Sequence, residues 1–207
     1  MKETRSNSTI VRSTIDVKSW LERTPSVDEA RPGQCPRCQV ASRPVGRALQ
    51  IWGHGLRDRQ QRGPLSPTGE PVEITIRVRR YLCRVCGAVI AVVPQGVLAG
   101  RLFLAAAIGF ALALFGVQDR PMSEVRRRVS PWQRVGATAF ESWLSLRRWV
   151  GEIREGRLFV SVRSSPASFT TREIAARAAQ TLAALAPPAL AEGDIEQRVY
   201  AGAVRAG

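Results

Sequence analysis

Apolar and polar side chains alternate most strictly between Val72 and Arg79. Val72, Ile74, Ile76 and Val78 fall on one face, and Glu73, Thr75, Arg77 and Arg79 on the other. A period of two predicts a half-buried strand. VGRALQIW (Val45 to Trp52) predicts a partner strand, which leaves GHGLRDRQQRGPLSPTGEP as a long hairpin tip. AVIAVV (Ala88 to Val93) predicts a third strand, ended by Pro94. The pattern then changes to LFLAAAIGFALALFGV, Leu102 to Val117, sixteen residues without a polar side chain. A spanning helix needs about 20. Because Arg101 and Gln118-Asp119-Arg120 bound the run, it reads as an Ala-rich buried helix and not as a membrane anchor.

A short second helix is expected over Pro121 to Val129, since proline suits a first helical turn and Ser130-Pro131 ends the run. A third starts at Thr138-Ala-Phe-Glu141, a capping-box spacing. It places Phe140, Trp143, Leu144, Leu146, Val150 and Ile153 inward and Glu141, Ser142, Ser145, Arg148 and Glu152 outward. Past Arg157, LFVSVRSS suggests a strand and TREIAARAAQTLAALA a helix that stops at Pro187-Pro188. At the other end, residues 1–34 are polar and end in the Pro/Gly-containing TPSVDEARPGQ, which reads as a linker. The expected class is α+β. It comprises a flexible arm (1–32), a small Cys₄ ribbon (33–96), a helix-turn-helix-like bundle (97–157) and a strand/helix tail (158–207).

Charge changes this picture more than composition does. At 207 residues and 44% hydrophobic side chains the chain can bury a core, and its net charge is +14. Residues 35–157 carry 20 Lys/Arg against 8 Asp/Glu, so +12 of the +14 lies there. A segregated, arginine-dominated excess suits phosphate backbones, because the guanidinium fork matches phosphate oxygens and guanine edges. A solvated basic surface is the bland alternative.

All four cysteines sit in two C-x-x-C turns, Cys35 and Cys38 in C-P-R-C and Cys83 and Cys86 in C-R-V-C-G. Two such turns close a tetrahedral Zn²⁺ shell and leave no position for water, so one structural zinc is expected. Paired disulfides or redox C-x-x-C motifs are the alternative. The opening MKETRSNSTIVRSTIDVKSW holds no continuous apolar core, so a reducing, cytoplasmic setting is expected, where such turns are more often metal sites. Gly87 fits the positive φ that the residue after such a turn adopts. His54, the single histidine, reads as a turn residue hydrogen-bonded locally between Gly53 and Gly55, with phosphate contact or zinc ligation as the functional alternatives.

The order C-P-R-C, W-G-H-G-L-R-D-R, V-R-R-Y-L-C-R-V-C-G and L-R-R-W-V resembles the N-terminal half of bacterial insertion-sequence transposases and related transposon-associated proteins. The resemblance covers roughly residues 33–152. It implies a zinc ribbon with an internal His-Gly and a helix-turn-helix that bind transposon-end DNA. It also implies Cys35, Cys38, Cys83 and Cys86 as ligands, His54 as the family histidine, and Arg147, Arg148 and Trp149 as the end of the recognition helix. No counterpart of the family's RNase H-like domain is expected, because the stretch after residue 157 holds four acids and is too short for a three-carboxylate nuclease. The chain is therefore expected to be either a stand-alone DNA-binding relative or the remnant of a longer transposase.

The expected function is therefore double-stranded DNA binding without catalysis or a small-molecule substrate, which leaves room for a transposase catalytic partner in trans. Affinity would come from Arg57, Arg59, Arg62, Arg77, Arg79, Arg80, Arg126, Arg127 and Arg128. Sequence reading would come from Ser142, Ser145, Arg147 and Arg148 on the third helix. A zinc-ribbon module for protein interaction and a small membrane-associated protein are the competing classes.

Overall fold

The computed structural model describes residues 8–132 and 143–207. The chain divides into two compact units, one of Met1–Gln60 with Thr75–Gln95 and one of Gln61–Ile74 with Gly96–Gly207.

The first unit is built on a four-stranded sheet. Its elements are β1 (Ser8–Asp16), α1 (Val17–Glu22), β2 (Ile51–Pro64), β3 (Pro71–Cys83) and β4 (Val89–Gln95), in the spatial order β1-β4-β3-β2. The alternation in β3 holds, because Ile76 and Val78 are buried while Glu73, Thr75 and Arg77 are exposed. These side chains pack with Ile51, Tyr81, Ile90 and Val92 as the apolar core. β3 runs antiparallel to β4, with Arg79 opposite Val92 and Leu82 opposite Val89.

Three expectations are corrected here. Residues 8–32 are not a loose arm. β1 pairs in parallel with β4, Ser8 opposite Val89 through Arg12 opposite Val93. α1 then buries Trp20, whose indole N–H donates 2.9 Å to the Arg77 carbonyl. Polar composition concealed a strand that is satisfied by a distant partner. Asp16 links the two elements by accepting from the Lys18 and Ser19 amides as the cap of α1.

The first part of the supposed hairpin tip, Gly53 to Pro64, is itself strand. β2 starts only at Ile51, residues 45–50 have no strand structure, and the pairing runs on through Arg57, Arg59 and Gln61. A charged strand without apolar alternation is what a sheet edge tolerates, and β2 is an edge. Finally, β4 continues through Pro94 to Gln95. The recorded β3 pairs stop at Val92 and the β1 register shifts between Arg12 and Asp16, so the missing proline N–H falls where regular pairing has already lapsed.

The second unit is helical around an apolar centre. α2 (Ala105–Leu112) is buried at every position and runs on into a π-helical turn, Ala113–Val117, in which the Gln118 amide donates 3.1 Å to the Ala113 carbonyl. Around it lie α3 (Met122–Val129), α4 (Leu144–Arg154), α5 (Thr171–Ala184) and α6 (Ile195–Ala206). α5 and α6 pack on α2 and on each other, so residues 158–207 supply the core of this unit and are not a tail. The approach is close enough that a Cβ on Gly116 would fall on the α5 backbone at Ala175 and Ala176.

LFVSVRSS is not a strand. Its Leu158, Phe159 and Val162 are buried in an irregular segment. The Thr138–Glu141 capping box lies outside the described residues. A complete capping box starts α5 instead, between Thr170 and Glu173. Among the described residues no helix is long and apolar enough to cross a membrane.

Gln61–Ile74, the distal end of the β2–β3 hairpin, belongs to this second unit. The Arg62 amide donates 2.7 Å to Leu102, the Leu104 amide returns 3.1 Å to Arg62, and the Tyr200 hydroxyl donates 2.9 Å to Pro64.

Candidate metal centre

The first C-x-x-C turn precedes β2, and the second links β3 to β4. The two turns have the same hydrogen-bond plan. The Cys35 amide donates to the Val40 carbonyl (2.9 Å) and the Gln39 amide to Cys35 (2.8 Å). Likewise the Cys83 amide donates to Ala88 (3.0 Å) and the Gly87 amide to Cys83 (2.9 Å). Each turn closes on a residue of positive φ, Gln39 at 60° and Gly87 at 70°. Glycine adopts that conformation freely at the second turn, whereas the first imposes it on a glutamine. The second turn is also tied to the segment just before β2, since the Arg84 amide donates 2.9 Å to the Gln50 carbonyl.

This plan brings Cys35, Cys38, Cys83 and Cys86 into one cluster whose sulfurs all lie within 4.8 Å of one another. Cys35 pairs with Cys86 and Cys38 with Cys83, both at 3.7 Å. Cys35 and Cys83 are fully buried, and all four are free thiols, so the disulfide alternative is not the arrangement found. The cluster is able to hold a metal ion.

Its electrostatics favour one. Burial opposes ionisation of Cys35, but amides of Cys38 and Arg37 donate to its sulfur and bring the thiol down to about 7. The Val40 amide favours the Cys38 thiolate, yet burial and the neighbouring sulfurs outweigh it and push the thiol up to about 12. Burial likewise raises Cys86. As bare thiols Cys38 and Cys86 therefore resist ionisation beside Cys35, whereas a bound cation offsets the repulsion and displaces the protons.

His54 is not part of this cluster, nor is it in a turn. It lies exposed on β2 between Gly53 and Gly55.

The predicted basic residues separate by what their side chains touch. In the first unit Arg57 and Arg77 are exposed. Arg59 and Arg80 are half-buried, and burial, followed by the nearby Arg57 charge, lowers the Arg59 guanidinium. Arg79 is half-buried, and its Nε donates 2.7 Å to the Pro25 carbonyl.

In the second unit Arg62 is held by Glu73 (2.9 Å) and lies 3.7 Å over the Trp132 ring. Arg128 bridges to Glu196 and the Pro67 carbonyl, both at 3.3 Å, and lies over Phe110. Arg126 donates 3.4 Å to the Trp132 carbonyl, while Arg127 is exposed. On α4, Arg147 and Arg148 are exposed and Ser145 is half-buried; Ser142 lies outside the described residues.

The two faces of α4 also need correction. Trp149 is buried in an edge-to-face trio with Phe103 and Trp143 at ring separations of 5.0–5.8 Å, so it is unavailable as a surface reader. Leu144 is exposed, because the helix begins there and its inward stripe runs Trp143, Leu146, Trp149, Val150 and Ile153. Glu152, expected outside, is buried and paired with Arg101 at 2.7 Å. Arg101, which bounds the apolar run in the sequence, is thereby a partner of α4 that the periodicity of α4 does not reveal.

No family model, curated protein or solved structure matches this chain.

Proposed function

We propose that the chain is a non-catalytic DNA-binding protein whose first unit is organised by one structural zinc. The observation that carries the metal is the geometry of the sulfurs. With Zn–S near 2.3 Å, tetrahedral thiolates lie about 3.8 Å apart. The Cys35–Cys86 and Cys38–Cys83 separations of 3.7 Å match that edge, and an all-sulfur donor set of this kind favours zinc. Zinc here supplies no chemistry beyond fixing the two turns.

The DNA reading is supported by basic side chains left at the surface of both units. They are Arg57 and Arg77 in the first, and Arg127, Arg147 and Arg148 in the second. The resemblance to transposase end-binding regions makes duplex DNA the polyanion to test, and α3 and α4 are the pair available for a helix-turn-helix role. The non-catalytic part rests on how the carboxylates are used. Glu73, Glu124, Glu152 and Glu196 are each paired with an arginine, and among the described residues the cysteines are the cluster suited to a metal.

Fluorescence anisotropy on a labelled duplex across a salt series tests this reading. Log K falling steeply and linearly with log salt is the expected result, and salt-independent binding or none rejects it. A second reading, docking of a partner protein, is favoured by Trp52 and Val85, large apolar side chains exposed beside the second cysteine turn.

A further inference from the structure

Three basic segments of the second unit, distant in sequence, converge on one cleft of about 190 Å³. Arg62 comes from the end of β2 and Arg101 from the segment before α2, while Ser145 and Arg148 lie one turn apart on α4; Trp149 and Phe103 form the apolar part of the lining. Among the described residues no acidic side chain lines it. The nearest compensation is Glu73 on Arg62 and Glu152 on Arg101, so two of the three guanidinium charges are offset and one remains. Those carboxylates fix their arginines. Arg62, 13% exposed, is also held against Trp132, and Arg101 is braced by a glutamate that is itself buried. Arg148 carries the remaining charge at the mouth and makes no ion pair with a described residue. The volume falls below the roughly 300–1,000 Å³ of pockets for organic ligands, and a fork of donors around a small space suits an oxyanion.

We infer that this cleft is a phosphate-binding site, which, on the DNA-binding reading above, takes one backbone phosphate of the duplex. Arg148 and Ser145 donate to the phosphate oxygens from α4, and Arg62 donates from β2 on ordering supplied by Glu73 and Trp132. The assignment changes the role of α4. A phosphate contact sets position and orientation without reading sequence, so the Ser145–Arg148 face of α4 lies against the backbone and not against base edges.

Two experiments on the full metal-loaded chain test this. In the first, the wild-type protein reacts with phenylglyoxal in phosphate-free buffer with and without inorganic phosphate, and modification is mapped by peptide mass spectrometry. Phosphate should slow modification of Arg148 several-fold and leave its exposed neighbour Arg147 unaffected. Equal protection of both, or of neither, overturns the site. In the second, Arg148→Ala, Arg148→Gln and Ser145→Ala are titrated with duplexes of unrelated sequence over a salt series. The arginine variants should lose the same factor on every duplex and flatten the log K–log salt slope by about one. Ser145→Ala should lose affinity evenly with little change of slope. A loss confined to particular sequences, or wild-type affinity and slope in both arginine variants, overturns the phosphate assignment while DNA binding itself stands. If no duplex binds at all but phosphate still protects Arg148 selectively, the cleft is supported and only the nucleic-acid reading falls.

Discussion

The two units solve the problem of stability in different ways. The first has a sheet whose edge strand β2 is charged, a six-residue helix, and long irregular stretches between them. Its two cysteine turns bring four sulfurs close enough together to hold one metal ion. The second buries α2 on all sides against α5 and α6, and Ile108, Phe110, Leu112 and Leu114 are each almost fully enclosed. Complete burial of such side chains is worth about 1.5–3 kcal/mol apiece. On the proposed zinc reading, the first unit adds coordination to a smaller apolar core whereas the second rests on apolar packing, so perturbations should act on them selectively.

The largest selective effect should come from the metal. Removing zinc with a chelator, or one ligand by Cys83→Ser, forfeits much of a binding free energy of about 10–16 kcal/mol for structural zinc sites. Hydrogen exchange should then show β1, β3 and β4 losing protection while α2, α5 and α6 keep theirs. The opposite dissection is Ile108→Ala in α2. A cavity at this fully buried position should cost about 2–5 kcal/mol of the second unit's stability in denaturant titrations and leave zinc stoichiometry unchanged. Thr170→Ala removes half of the capping box of α5 and should cost about 1 kcal/mol there, read as a shift of the same transition.

The smallest effect is a pH dependence in the first unit. The Arg23 guanidinium, followed by the Ser26 amide, holds the Glu29 carboxyl down at about 2. Its folded value lies below the ordinary glutamate value near 4.3, so its contribution is complete above that pH and is lost as pH falls toward about 2. Glu29→Gln should therefore flatten the acid limb of the first unit's stability profile, measured at fixed zinc.

What the sequence made legible follows the same division. The cysteine spacing, the positive φ at Gly87, the β3 alternation and the buried run from Leu102 are local patterns, and a local pattern carries its own structural consequence. β1 and most of β2 were illegible because their polar side chains show no periodicity; what makes them strands is pairing with β4 and β3. Glu152 and Arg79 were placed on the surface by helical and strand periodicity. Glu152 is paired with Arg101 and the Arg79 Nε is bonded to the Pro25 carbonyl, partners that no pattern in their own segments announces. The cleft formed by Arg62, Ser145 and Arg148 was half visible, since all three were expected at DNA, but their convergence is a product of tertiary structure.

The most direct test of the account is the metal content of the purified chain, measured by mass spectrometry under native conditions before and after treatment with a thiol-specific mercurial. The account predicts one zinc per chain, released in full as the four thiols are titrated, with Cys35, Cys38, Cys83 and Cys86 protected from alkylation until that point. A folded chain with well under one equivalent of metal and freely alkylated cysteines would contradict it.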